Sequence, residues 1–167
     1  LFTADRRITR EVDAVFGLIR HPYRPVHFKQ LLVSPQGMRS GMDEMIATEI
    51  AHAQAGRDAY ILCKVNHITD DKIIRRLYEA SAAGVKLRML VRGNCSVIPG
   101  IPGLSENIEI RGIIDRYLEH SRIFIFCNGG RGRERYFIGS ADWMTRNLDH
   151  RVEVYAPVHD RAIQAEL

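Results

Sequence analysis

Apolar positions recur along the chain in two rhythms, one of three to four residues and one of two, and the changes between them lay out the elements. Over residues 6–19, Ile8, Val12, Val15, Phe16 and Ile19 fall on one side of a helix that Asp5 is placed to cap. HPYRPVH, at 21–27, breaks the pattern with two prolines and reads as a connection to a short apolar strand over 29–34. From 38 to 55, Met42, Met45, Ile46, Ile50 and Ala53 return at helical spacing until Gly56 stops the helix, and this stripe predicts core. A strand over 60–65, a helix over 69–83 opened by Thr69, Asp70 and Asp71, and a strand over 85–91 then make a βαβ unit. Its strands should be parallel, and ligands of such sheets gather beyond the carboxyl ends, where Lys64, Asn66, Arg92 and Gly93 lie.

The second half of the chain is organised by a hairpin. NCSVIPGIPGLSEN, at 94–107, is long and rich in proline and glycine and reads as a functional loop or lid, with an edge strand at 108–110 after it. The runs 123–127 and RYFIG (135–139) are strand-forming, and NGGRGRE between them turns the chain back. That return should bring Gly139, Ser140 and Asp142 beside His120 and Arg122, which stand two residues apart and so share a strand face. A last alternating run, RVEVY, precedes the start of a terminal helix.

This convergence suits phosphate. An imidazole can shuttle protons or attack phosphorus near neutral pH, a guanidinium can hold nonbridging oxygens in a fork, and a Gly-Ser turn can donate hydrogen bonds to developing charge. Lys64, Asn66, Arg92, His120, Arg122 and Ser140 are the candidate site residues, with His120 the catalytic one; for Lys64 and Asp142 a salt-bridged role is favoured. Arg39, in the first turn of the second helix, is a further candidate anion contact, whereas His52 on that helix reads as solvated.

Composition narrows the setting. A chain of 167 residues with 46% hydrophobic and 26% charged content predicts one globular domain, and no apolar run approaches the roughly 20 residues of a membrane helix. The net charge of +4 favours anionic partners without choosing among them. Three widely spaced cysteines lacking CxxC spacing suggest neither a disulfide framework nor zinc and fit a reducing cytoplasm, with peripheral contact to acidic lipid left open. With no GxxxxGK run, any ATP would be handled outside a P-loop.

His120-Ser121-Arg122 with Gly139-Ser140 resembles the His-x-Lys and Gly-Ser signature of the phospholipase D superfamily, with arginine where lysine is usual. Longer blocks, LLVSP (31–35), LVRGNCSVIPGIPGLSENI (90–108), DRYLEHSRIFIF (115–126) and SADWMTRNLDHRVEV (140–154), resemble the C-terminal catalytic domain of bacterial polyphosphate kinase, and the likeness covers nearly the whole chain. It implies an α/β fold, a phospholipase D-like mixed sheet flanked by helices in a single domain over 1–167, with 1–27 as a helix and connection to a preceding half. It also implies transfer of the ATP terminal phosphate to inorganic polyphosphate, with ATP/ADP as substrate. Arg92 would match a nucleotide-phosphate arginine and His120 the second active-site histidine. The phosphohistidine and the Mg2+ ligands would lie before Leu1, in upstream domains of the same chain, and the whole would form a homo-oligomer with no specific nucleic-acid partner. The isolated piece is expected to be inactive. Two alternatives stay open: a phospholipase D-type phosphodiesterase or nuclease acting as a homodimer through His120, and a noncatalytic polyanion-binding module using Arg131, Arg133, Lys64 and Arg92.

Overall fold

The computed structural model describes residues 2–167. Seven strands, β1 (Leu32–Ser34), β2 (Tyr60–Val65), β3 (Lys86–Val91), β4 (Ile108–Gly112), β5 (Arg122–Phe126), β6 (Arg135–Gly139) and β7 (Glu153–Pro157), form one sheet in the order β1-β7-β6-β5-β2-β3-β4. The sheet is mixed: β2, β3 and β4 are parallel, while β5, β6, β7 and β1 each run antiparallel to their neighbours. Five helices accompany it, α1 (Arg6–Arg20), α2 (Met38–Gln54), α3 (Asp71–Ala82), α4 (Thr145–Asp149) and α5 (Arg161–Glu166).

The two faces of the sheet are covered unequally, and strand alternation decides which residues meet which cover. Ile61, Cys63 and Val65 of β2, Leu87, Met89 and Val91 of β3, and Phe124, Phe126, Phe137 and Tyr155 face α2 and α3. Met38, Met42, Met45 and Ile46 from α2, with Ile73, Leu77 and Ala80 from α3, complete this core. Phe124 sits among aromatics, its ring centroid 4.2 Å from Tyr155 and 5.2 Å from Phe137. Burying one such side chain contributes about 2–3 kcal/mol, so this face carries most of the stability.

On the opposite face α1 covers only the β1–β7 end. Ile8, Val15 and Leu18 pack with Leu31 and Val33, against Val154 and Ala156. The stripe expected from the sequence is therefore rotated: Val12, Phe16 and Ile19 remain 40%, 56% and 55% exposed. Glu11 accounts for the rotation, because its carboxylate accepts the backbone N–H groups of Lys29, Gln30 and Leu31 and turns that side of the helix toward the connection. The rest of this face is an open groove whose lining includes Leu62, Lys64, Leu90, Ile123 and Ile125.

The long connection over 94–107 is fastened along its length, so its geometry is that of an ordered loop. Ser96 N–H donates to the Ile68 carbonyl, Ile98 N–H to the Tyr78 hydroxyl, and Asn107 bonds Ser81 at the carboxyl end of α3. The short helix α4, which the sequence pattern did not predict, follows the hairpin directly and buries Asn147 and Leu148.

Candidate active site

Three chain segments leave the sheet at one rim and are stitched together there. After β2, Ile68 forms single bridges with both Cys95 and Trp143. Ile68 N–H donates to the Asn94 carbonyl, Trp143 N–H to the His67 carbonyl, and the Trp143 carbonyl accepts from Thr69 and Asp70. The exits of β2, β3 and β6 therefore form one rigid shelf. Gly93 permits the closest approach, since a Cβ there would stand 2.4 Å from His67 Cε1 and 2.7 Å from its Nδ1, the nitrogen that accepts the Asn94 N–H.

Strand β5 begins at the same rim because it pairs antiparallel with β2, and Arg122 lies opposite Gly139 in the hairpin. Asp142, on the segment returning from β6, is buried and collects four donors. Its Oδ1 accepts Asn66 N–H at 2.8 Å, His67 N–H at 3.4 Å and Arg122 Nε at 3.1 Å, and its Oδ2 accepts Arg122 Nη2 at 3.2 Å. Burial alone would raise the carboxyl's pKa, but the Arg122 guanidinium and the two amides outweigh it and hold the group below the usual carboxylate range.

Arg122 thus spends its fork on a protein carboxylate, where the sequence pattern predicted that the fork would grip phosphate. Its remaining nitrogen, Nη1, donates to the His120 carbonyl at 2.8 Å and lies 3.3 Å from the ring Nδ1. His120 itself is exposed at the rim. Arg92, half-buried, is oriented by a single bond from Nε to Asn66 Oδ1 at 3.1 Å. Among the described residues no acceptor meets its terminal nitrogens. A guanidinium held at Nε alone presents its two other nitrogens to an incoming anion.

Other candidates sit differently. Lys64 projects from the opposite sheet face, as alternation with Cys63 and Val65 requires, and its ammonium is taken by Glu119 at 2.9 Å and the Ser121 carbonyl at 2.9 Å. Ser140 is at the expected rim, yet its hydroxyl donates to Glu153 and its N–H to the Val154 carbonyl, so Ser140 has no donor left for an anion. Gly139 has a packing role: a Cβ there would lie 2.3 Å from the Val154 carbonyl oxygen. Arg39 does not face an anion from outside. It is clasped by Asp70 and Asp149, and those bonds join α2 to the amino end of α3 and to α4. The two carboxylates lie 31 and 110 residues away, so the local helix position gave no sign of them.

The hairpin-tip residues Arg131 and Arg133 lie at the other end of β5 and β6 from His120, because Phe126 pairs with Arg135 there. They do not join the rim.

The family model for polyphosphate kinase C-terminal domain 2 matches residues 31–167. The chain belongs to that family. It is 50% identical over 167 residues to the polyphosphate kinase of Vibrio cholerae serotype O1, covering 100% of this chain and 24% of that protein. It is 51% identical over 160 residues to the polyphosphate kinase of Escherichia coli K12, covering 96% of this chain and 23% of that protein. The crystal structure of polyphosphate kinase from Porphyromonas gingivalis superposes with a TM-score of 0.92 at 40% identity, over 98% of this chain and 25% of that one. The chain accordingly spans about a quarter of the length of these relatives. Nuc from Salmonella typhimurium, a phospholipase D family member, gives a TM-score of 0.53 at 14% identity over 82% of this chain and 86% of that one, a likeness of fold. This polyphosphate kinase domain therefore has the α/β, phospholipase D-like mixed sheet flanked by helices that its motifs predict.

The sequence pattern passed over His67 and the two amides that Asp142 accepts, while the salt bridge it favours for Asp142 is present, to Arg122. Both could have been flagged by one feature: Asp142 follows the hairpin at the point where the chain must cross back to the exit of β2.

Proposed function

We propose that this domain supplies the nucleotide-phosphate half of a polyphosphate kinase active site, and that the full-length protein transfers the terminal phosphate of ATP reversibly to inorganic polyphosphate. One observation carries this reading: Arg92 stands at the rim with its terminal nitrogens unspent, and the same rim holds an exposed histidine backed by a second arginine. In phosphoryl transfer, placement and neutralisation of oxygens do most of the work. Arg92 would bind the phosphate oxygens of ATP, and Asn66 would set its angle. His120 would contact the transferring group or give a proton to the leaving oxygen, with Arg122 fixing its backbone. Lys64, tied to Glu119, and Ser140, tied to Glu153, would support the rim without touching substrate.

The covalent step is assigned to a histidine in the part of the protein outside this domain. Its imidazole nitrogen would bond phosphorus as the bond between the γ-phosphorus and the β,γ-bridging oxygen breaks and ADP leaves. A terminal oxygen of polyphosphate would then take the phosphoryl group from nitrogen. Three carboxylates at this rim are already engaged: Asp142 faces Arg122, Glu119 pairs with Lys64, and Glu153 accepts from Ser140 and Asn147. The metal that such a reaction uses would be held elsewhere in the full-length protein. Oligomeric assembly and any peripheral membrane contact would belong to that longer protein as well.

The test is polyphosphate synthesis from labelled ATP by the full-length protein and by its Arg92→Ala and His120→Ala variants. Loss of either group should lower turnover about a hundredfold or more. Near-normal turnover in either purified variant would contradict the assignment, and DNA cleavage abolished by His120→Ala would favour a phosphodiesterase instead.

A further inference from the structure

We propose that Asp142 is a positioning residue that couples the two arginines of the site, fixing Arg122 directly and Arg92 through the Asn66 segment. The inference rests on the phosphotransferase reading above, and it names a residue that touches neither ATP nor polyphosphate in that reading.

The two oxygens of Asp142 serve two different purposes. Oδ1 anchors the amides of Asn66 and His67 as the chain leaves β2, and Asn66 in turn accepts Arg92 Nε through its side-chain oxygen. Oδ2, with Oδ1, receives Nη2 and Nε of Arg122, so Nη1 is the nitrogen that holds the His120 carbonyl, and the ring faces both Nη1, 3.3 Å from its Nδ1, and Nη2, 3.4 Å from its Nε2. One buried carboxylate, its side chain 8% exposed, therefore sits at the junction between the β2–β3 half of the site and the β5–β6 hairpin half. The Arg122 side chain is almost as enclosed, at 11%. An enclosed guanidinium with a single carboxylate partner has no second ion to hold it in place. If the carboxylate is removed, the fork is released, and a long side chain regains rotamers that no longer place Nη1 on His120.

The division of labour makes Asn and Ala substitutions separable. Asp142→Asn keeps an oxygen that can accept the Asn66 amide and Arg122 Nε, but its NH2 group meets the Nη2 donor of Arg122 without an acceptor and breaks the fork. Asp142→Ala removes both acceptors. In the full-length protein, Asp142→Asn should lower kcat about tenfold to a hundredfold while KM for ATP changes less than about threefold. Asp142→Ala should lower kcat at least as far and raise KM for ATP by about tenfold, because Arg92 loses its alignment too. A loss of folded protein alone would lower apparent kcat and leave KM for ATP unchanged in both variants, so the raised KM in Asp142→Ala separates lost alignment from unfolding. In an Arg122→Ala background, Asp142→Asn should cost less than about twofold more, since the pair it breaks is already gone.

A second readout is independent of turnover. In the 167-residue chain, the Nη2–H resonances of Arg122 should exchange slowly with water and should broaden or vanish in Asp142→Asn, with the His120 ring resonances shifting at the same time. Unchanged Arg122 Nη2–H signals in Asp142→Asn would overturn the inference, as would full kcat in that variant or an equal penalty in the Arg122→Ala background. A wild-type full-length protein that makes no polyphosphate would instead overturn the functional reading, and the resonance test would then decide the role of Asp142 by itself.

Discussion

Arg39 and Arg122 each meet aspartate, and they end with opposite roles. Arg39 faces two carboxylates, and each of its three guanidinium nitrogens finds an acceptor on Asp70 or Asp149. One cation against two anions repels a phosphate. Arg122 faces one carboxylate and turns its third nitrogen to His120, while Arg92 nearby has only a neutral amide oxygen as partner. The second cluster is one carboxylate short of the first, so its rim keeps positive charge beside an exposed imidazole. The count of acceptors around a guanidinium, more than its position at a helix start, separates a structural clasp from an anion site.

Breaking the clasp should give the largest effect on stability. Arg39→Ala leaves Asp70, which is fully buried, without its counter-ion at an expected cost of about 3–5 kcal/mol. Thermal unfolding should register a Tm lower by on the order of 10 °C; a change under about 2 °C would place the clasp among ordinary surface pairs.

Acid probes the same cluster less severely. Burial pushes the Asp70 carboxyl upward, but Arg39, the Ile73 amide and Thr145 together hold it down at about 2. Its contribution, on the order of 2 kcal/mol, is complete above the unfolded value near 4 and is lost as pH falls through the folded value. Asp149 is displaced in the same direction by Arg39. Urea midpoints should therefore fall between pH 5 and pH 2.5, and the part due to this cluster should disappear in Arg39→Ala.

The other cluster should behave in reverse. Arg92→Ala should change unfolding free energy by less than about 0.5 kcal/mol, since it breaks one bond to a neutral partner, yet cost the full-length protein most of its turnover. Smallest of all, Lys64→Met should cost less than about 1 kcal/mol and alter turnover less than about threefold, because its partner Glu119 is 43% exposed and screened. A larger effect on turnover would move Lys64 into the site.

Much of this arrangement is legible in the sequence. Alternation and the NGGRGRE turn placed Ser140 and Asp142 at the rim of His120 and Arg122, and the βαβ unit placed Arg92 and Asn66 there too. What local pattern does not carry is the identity of a side chain's partner. Arg39 looked available because Asp149 is distant in sequence, and Ser140 looked like a donor because Glu153 arrives from another strand. Lys64 is salt-bridged, as its favoured reading has it, and the period of two puts it on the face opposite Cys63, away from the site to which its nearness to the strand end assigns it. The rotation of α1 depends on Glu11 meeting three amides, a tertiary bond that an apolar stripe alone cannot reveal.

The most direct test of the contrast between clasp and site is a titration of the 167-residue chain with tripolyphosphate at low salt, followed by backbone amide NMR. Shifts should concentrate at Arg92, Gly93, His120 and Arg122, leave Arg39 unmoved, and fade as ionic strength rises toward about 0.3 M, because an open rim is screened. Shifts centred on Arg131 and Arg133 at the hairpin tip, or on the first turn of α2, with the rim unaffected, would contradict the account.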